Sequence, residues 1–453
     1  MAESGLDLTP EQMRELGYAA VDAVVEHLGA LRSGPTFTPP PPDLAKRVAE
    51  PPPEEGGDPV ELMGWLQREL LGPGVRNHHP GMFAYIPVSP TFPGVVADML
   101  AAGLNIFAGS YQSGPGAAVV ELEVLGWFRD LLGLDPGAEG VIASGGSTAN
   151  LVGLAVARDR RPQGGADRVA YTTSEAHSSV GRALRLIGID RIHEVAIDER
   201  FRMRPDALAE AMAADAAAGL VPWCVVAAAG STNTGAVDDL PALHRVASDH
   251  GAWLHVDGAY GGFLALTERG RAAMPGLELA DTLVLDAHKS LYCPLAAGIV
   301  FARAGGDLEQ TFTVRPEYLK DMDRYGGVNF ADRGVELSRP FRALKVWLTV
   351  KTFGLAEIRA ALDRSLDLAL LAAELITESP RLELVTGPSL GVVNFRSAAG
   401  VTVEDMVANV VAAGAFISAT TVAGERTARI CALGHRSDEQ SLRSVIEAAA
   451  VAH

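Results

Sequence analysis

Three short segments of this 453-residue chain carry residue types that could do chemistry together. The first, Ser144-Gly145-Gly146-Ser147-Thr148-Ala149-Asn150, follows the apolar run Val141-Ile142-Ala143 and leads straight into a helical pattern. Two glycines permit close backbone approach, and the unpaired N–H groups of a helix start bind phosphate. The spacing matches neither a GxGxxG dinucleotide site nor a P-loop, and a plain tight turn accounts for this segment equally well. The second, Trp253-Leu254-His255-Val256-Asp257-Gly258-Ala259-Tyr260, is an apolar run ending in a carboxylate. A buried carboxylate is costly unless paired, so Asp257 either caps the next segment or faces a cationic ring nitrogen. The third, Asp281-Thr282-Leu283-Val284-Leu285-Asp286-Ala287-His288-Lys289-Ser290, puts a lysine just past an apolar strand. Partly desolvated there, its amine can be neutral and form a Schiff base; taken alone, it reads as a surface lysine.

The combination says more than its parts. A phosphate nest, a strand-end acid and, 32 residues further on, a strand-end His-Lys are what pyridoxal phosphate needs. The nest takes the phosphate, Lys289 the aldehyde, and Asp257 keeps the pyridine nitrogen protonated so that the ring is an electron sink. His177, in Thr173-Ser174-Glu175-Ala176-His177-Ser178-Ser179, could stack on the ring face.

These segments must be positioned by strands. Val141–Ala143, Val169–Thr172, Ile192–Ile197, Trp223–Ala229, Trp253–Val256, Thr282–Leu285 and Gly298–Phe301 are seven apolar strand candidates. Helical stretches such as Ala149–Arg158, Ser179–Leu186, Pro205–Ala218 and Leu240–His250 separate most of them. That alternation predicts an α/β fold with a mostly parallel seven-stranded sheet covered by helices, and ligands sit at the carboxyl ends of such strands. Ahead of it, Thr9-Pro10-Glu11-Gln12 starts an amphipathic helix, followed by nine prolines between Pro35 and Pro59. The helix packs either on a second subunit or on its own domain. A long helix opening at Leu344–Thr352, strands at Leu382–Val385, Val392–Phe395 and Ala428–Cys431, and a helix near Val403–Ala413 predict a small C-terminal α+β domain. The divisions expected are a helical and proline-rich arm over 1–91, a cofactor-binding domain over 92–346 and a small domain over 347–453.

Composition narrows the partners. Thirty-eight Lys and Arg against 56 Asp and Glu leave a net charge of −18, which repels nucleic acid and anionic membranes. Three scattered cysteines suit neither a disulfide framework nor a metal clip, and the N-terminus lacks the pattern of a signal peptide. Met406–Gly424 is charge-free but reads as helix, glycine stop and strand. The expectation is a cytoplasmic protein. His78-His79 lacks companion ligands, so no metal is expected, and Ser144-Gly145-Gly146-Ser147 is not the GxSxG of a hydrolase.

The sequence resembles the group II pyridoxal-phosphate decarboxylases, of the aromatic-L-amino-acid and histidine decarboxylase type. The likeness runs from His79-Pro80 through Ala84-Tyr85-Ile86-Pro87, Glu175–Ser179, Gly235–Leu240, His255–Tyr260 and Asp286–Lys289 to Arg339–Trp347. It implies fold type I, a homodimer with active sites at the interface, and release of CO₂ from an L-amino acid. By the resemblance, Lys289 is the Schiff-base lysine, Asp257 the pyridinium partner, His177 the stacking residue, and Ala259 lies on the opposite ring face. Thr232 and His288 lie beside the cofactor, and Gly146 and Ser147 at its phosphate. Ser338 matches a glycine that reaches this phosphate from the other subunit. Tyr318 matches the tyrosine that protonates the carbanionic carbon after decarboxylation.

The chain departs from the aromatic-acid enzymes around the substrate. Asn77, Ile86 and Gly109 stand where those have three aromatic walls, Val88 replaces a carboxylate-contacting threonine, and Ser290 a tryptophan. Tyr85, Tyr111 and Phe83 could still offer aromatic contact. Gly109 is expected to open space for a large side chain. The resulting expectation is decarboxylation of an L-amino acid, aromatic by family precedent. A decarboxylating aldehyde synthase, another fold type I lyase acting on a non-aromatic amino acid, and a non-catalytic dimeric scaffold are the alternatives.

Overall fold

The computed structural model describes residues 5–161, 165–314 and 325–451. Two short strands, β1 (Phe37–Thr38) and β2 (Gly74–Val75), pair near the N-terminus. The central sheet follows: β3 (Glu139–Ala143), β4 (Arg168–Thr172), β5 (Arg191–Glu194), β6 (Val221–Ala228), β7 (Trp253–Gly258), β8 (Thr282–Asp286) and β9 (Gly298–Ala302). Their order across the sheet is β3-β9-β8-β7-β6-β4-β5, with β9 antiparallel to both its neighbours and every other pairing parallel. The seven expected strands are all there. The interior ones are buried along nearly their whole length, as strands covered on both faces must be. β5 stops at Glu194, short of the expected Ile197, because it is an edge strand with little to bury.

A second sheet is antiparallel, in the order β10 (Leu382–Ser389), β11 (Val392–Ser397), β13 (Glu425–Cys431), β12 (Ser418–Val422). Helix Ala343–Glu378 joins the two cores. Val346, Val350, Ile358 and Leu362 pack into the core around the central sheet, whereas Ala369, Ala372 and Ile376 pack into that of the small sheet. The helix bends at Gly354, whose φ of 73° interrupts the helical backbone.

The N-terminal helix, Pro10–Gly29, starts with the expected capping box: Thr9 accepts from the Gln12 N–H, and Gln12 accepts from the Thr9 N–H. None of its residues is buried in this chain, and Met13, Tyr18 and Val25 are exposed. The proline-rich segment is not extended throughout. It contains a short helical turn at Leu44–Val48, and helix Pro59–Glu69 returns so that Arg47 pairs with Glu69. Met406–Gly424 is a helix ending at Ala412, a left-handed Gly414 and strand β12. Among the described residues no helix is long and apolar enough to cross a membrane.

Candidate active site

The carboxyl ends of β3, β7 and β8 converge on one cavity of about 300 Å³. β3 ends at Ala143, the chain turns through Ser144 and Gly145, and helix Gly146–Arg160 begins at once, so its free N–H groups face the cavity mouth. Gly146 has to be glycine. A Cβ there would sit 2.9 Å from Asp286 Oδ2 and 3.1 Å from Ala259 Cβ. Ser144 and Thr148 hydroxyls lie 2.7 Å apart and brace the turn.

β7 delivers Asp257. Its Oδ2 accepts a hydrogen bond from Asn150 Nδ2 (2.9 Å), and its Oδ1 accepts from the Ala259 N–H (3.1 Å). β8 delivers Asp286, His288 and Lys289, the latter two on the short turn Ala287–Ser290. The Lys289 ammonium lies 2.8 Å from Asp286 Oδ2, and Ser290 Oγ donates to the Tyr260 carbonyl (2.8 Å), tying the lysine turn to the loop after Asp257. Burial lowers the pKa of His288, and its Nδ1 accepts from the Ala297 N–H. His177 caps helix Ser178–Leu186, with Nδ1 2.7 Å from Ser179 Oγ. Glu175, its pKa raised by burial, completes this side with weak contacts to Asn233 and Thr234.

Gly146, Ser147, His177, Thr232, Asp257, Ala259, His288 and Lys289 therefore all line one cavity. The other expected residues do not. Asn77, Tyr85, Ile86, Val88 and Gly109 are absent from its lining. Gly109 does not open space: a Cβ there would meet the Phe107 ring at 2.4 Å, so that ring already covers the position. Ser338 lines a second cavity of about 760 Å³, with Phe107, Arg339 and Lys345, which meets the first at Leu295. Tyr318 lies outside the described residues. His79 braces a turn, accepting at Nδ1 from the Gly81 N–H (2.9 Å).

Pyridoxal phosphate fits this cavity on structural grounds. One wall carries an amine, another a carboxylate, and between them lies a helix start that only glycine permits. Residues 42–398 match the pyridoxal-dependent decarboxylase conserved domain. The chain belongs to the pyridoxal-dependent decarboxylase family. It is 40% identical to an aromatic-L-amino-acid decarboxylase of Bacillus atrophaeus over 86% of this chain and 83% of that one. It is also 29% identical to a phenylacetaldehyde synthase of Arabidopsis thaliana over 87% and 84%. The solved Oryza sativa TDC with PLP and tryptamine superposes with a TM-score of 0.92 at 27% identity, covering 99% of each chain. As a member of the pyridoxal-dependent decarboxylase family, this protein is a carboxy-lyase that uses pyridoxal phosphate to decarboxylate an amino acid.

Asn150, Ser179 and His255 were not foreseen as site residues. A signal was available for two of them. His255 is two residues before Asp257 and so shares its face of β7, and Asn150 lies one turn into the helix that packs on that face.

Proposed function

We propose that the substrate is an aromatic L-amino acid, that the product is its amine, and that the working unit is a cytoplasmic homodimer with shared active sites. The observation that carries the chemistry is the convergence of Lys289, Asp257 and the Gly146 helix start on one cavity. When bound there, pyridoxal phosphate supplies an electron sink for the pair left behind as CO₂ departs. The helix start and Ser147 would hold its phosphate, and Lys289 would anchor its aldehyde through Nζ. Asp257 would keep a proton on the pyridine nitrogen, and His177 and Ala259 would flank the ring. Thr232 and His288 close the sides. Tyr318 returns a proton to the substrate's α-carbon, and its being a tyrosine favours the amine over the aldehyde made by oxidative relatives.

The aromatic preference is supported by the name of the 40% identical relative and by Phe107, whose ring covers Gly109 and lines the second cavity. Tyr85, Ile86, Val88 and Asn77 form the remaining substrate rim in this reading. The dimer is supported by the exposed apolar residues of helix Pro10–Gly29 and by Ser338, which sits outside the cofactor cavity of its own chain. In this arrangement 1–91 is the arm, 92–346 the cofactor-binding domain and 347–453 the small domain. The buried, unpaired Cys224, Cys293 and Cys431 suit a reducing compartment.

A competition assay with the common L-amino acids, reading CO₂ and amine release, tests the substrate. Preference for tryptophan, tyrosine, phenylalanine or dopa is expected; preference for valine, glutamate or serine overturns it. Aldehyde, ammonia and peroxide in place of amine would favour the oxidative alternative. For the dimer, Lys289→Ala and Tyr318→Phe subunits are mixed. Random pairing should recover about a quarter of native activity through one intact hybrid site, and no recovery in demonstrated heterodimers would mean that each site is built within one chain.

A further inference from the structure

Behind Asp257 runs a file of buried polar side chains that the chemistry so far does not use. Trp253 Nε1 donates to Thr282 Oγ1 (2.9 Å), and Thr282 Oγ1 lies 2.9 Å from His255 Nδ1. His255 Nε2 lies 2.9 Å from Asn150 Oδ1. Asn150 Nδ2 donates both its hydrogens, one to Asp257 Oδ2 (2.9 Å) and one to Ser179 Oγ (3.0 Å). Ser179 in turn meets His177 Nδ1 through its hydroxyl (2.7 Å) and its backbone N–H (3.3 Å). Asn150, His255 and Thr282 are fully buried, where a polar group without its partner is expensive.

The donor and acceptor inventory allows this file only one direction. The Asp257 carboxylate accepts, so Asn150 must present its NH₂ to it and its carbonyl to His255. That carbonyl needs a donor, so His255 carries its proton on Nε2, and Nδ1 must accept from the Thr282 hydroxyl. Thr282 is then free to take the indole hydrogen of Trp253. Burial lowers the His255 pKa to about 4, which keeps the ring neutral, as this requires. On the other branch, the Ser179 backbone N–H donates to His177 Nδ1, so Nδ1 is an acceptor. The Ser179 hydroxyl accepts from Asn150 and donates to that same nitrogen, and the His177 proton stays on Nε2. The fold makes room for the file at a cost. Gly153, inside helix Gly146–Arg160, would put a Cβ 2.8 Å from His255 Cε1, and glycine in a helix interior is less favourable than alanine.

We propose that Asn150 and His255 are positioning residues which, through one directed hydrogen-bond file, hold Asp257 as an acceptor toward the pyridine nitrogen and His177 as the Nε2–H tautomer. The inference rests on the proposed roles of Asp257 and His177, but its test reads proton positions and cofactor affinity rather than turnover. Full-length protein labelled with ¹⁵N-histidine is examined by long-range ¹H–¹⁵N correlation, with and without pyridoxal phosphate. Signals are assigned from their loss in His255→Gln and His177→Gln. Both rings should be neutral with the proton on Nε2. A proton on Nδ1 of either ring, or a protonated His255 at neutral pH, overturns the file even if Asn150→Asp and His255→Leu fail to fold. Asn150→Asp places an acceptor where a donor is needed. It should raise the dissociation constant for pyridoxal phosphate at least tenfold and leave His177 a tautomer mixture. His255→Gln, whose amide can still donate to Asn150, should bind within a few-fold of the parent, whereas His255→Leu should resemble Asn150→Asp. Equal affinity across Asn150→Asp, His255→Leu and the parent overturns the positioning role. If the file stands but Asp257→Ala decarboxylates normally, it is the role given to Asp257 that has failed.

Discussion

The inner wall of the cavity and its outer rim are made from different parts of the fold. The wall is composed of strand ends and one helix start: Asp257 closes β7, Lys289 follows β8 by three residues, and Gly146 opens its helix. The residues proposed for the substrate rim, Asn77, Tyr85, Ile86, Val88 and Gly109, all sit in loops ahead of the central sheet. The wall inherits its precision from the sheet, because adjacent strands fix their ends to each other by backbone hydrogen bonds. The rim loops are tied by isolated backbone hydrogen bonds instead, such as Phe83 N–H to the Phe416 carbonyl and Ala331 N–H to the Gly109 carbonyl, and Tyr85 is largely exposed in the single chain. In this reading chemistry is set on the regular central sheet, and selectivity on the loops that precede it.

Removing the anchor of the wall should have the largest effect. Lys289→Ala is expected to lower decarboxylation by on the order of 10⁴-fold or more, as loss of a covalent nucleophile does elsewhere. In the parent, borohydride reduction followed by peptide mapping should place the cofactor label on Lys289. A label on another lysine would move the anchor off this wall.

Asp257→Ala comes next. Breaking a buried ion pair costs about 3–5 kcal/mol, and each 1.4 kcal/mol is a factor of ten, so turnover should fall by roughly 10²–10⁴-fold. Near-normal turnover with the cofactor still bound would remove the electron-sink role from this residue.

The same contrast explains what could be read from the sequence. The seven strands are legible as apolar runs, and Gly146, Asp257 and Lys289 because each follows or closes one, whereas Thr232, Ala259 and His288 come only through the family resemblance. The file through Asn150 and His255 was not read, because its partners lie 105 positions apart in sequence and meet only when the helix packs on the sheet. The rim was misjudged at Gly109 for a related reason. A missing side chain looks like space in a sequence, but Phe107, two residues earlier, folds over it. Tyr318, assigned through family likeness, lies outside the described residues.

The buried file also predicts how the wall responds to acid. Burial lowers the pKa of His255 to about 4 and, with help from Arg436, that of His78 to about 4. Unfolded histidines titrate near 6.5, so between about pH 6.5 and 4 the unfolded chain takes up protons that the fold refuses, and stability falls with pH. Asp238 works the other way. Burial raises its pKa to about 6, so below that value the folded form gains a proton which an unfolded aspartate, near 3.8, still gives up. In urea titrations between pH 7 and pH 5, His255→Gln should flatten the pH dependence by up to about 1.4 kcal/mol per pH unit, the share of one proton. An unchanged slope would mean that His255 is not held neutral in the native wall.

The smallest effect is expected at the rim, and it tests whether the comparison extends to selectivity. Phe107 is partly exposed, lines the second cavity, and puts its ring where a side chain at 109 would stand. A ring contact with an aromatic substrate is worth about 0.5–1.5 kcal/mol beyond area burial. Phe107→Ala should thus reduce the kcat/KM preference for aromatic over aliphatic amino acids by roughly two- to tenfold, at about 1.4 kcal/mol per factor of ten. Gly109→Ala should act in the same direction, because its methyl group would drive the ring out of place. Neither should disturb the label on Lys289, since neither Phe107 nor Gly109 lines the cofactor cavity. A loss of cofactor in Phe107→Ala would mean that wall and rim are one structural unit. An unaltered preference would place the determinants of selectivity elsewhere on the rim, with Tyr85 and Ile86 the next to vary.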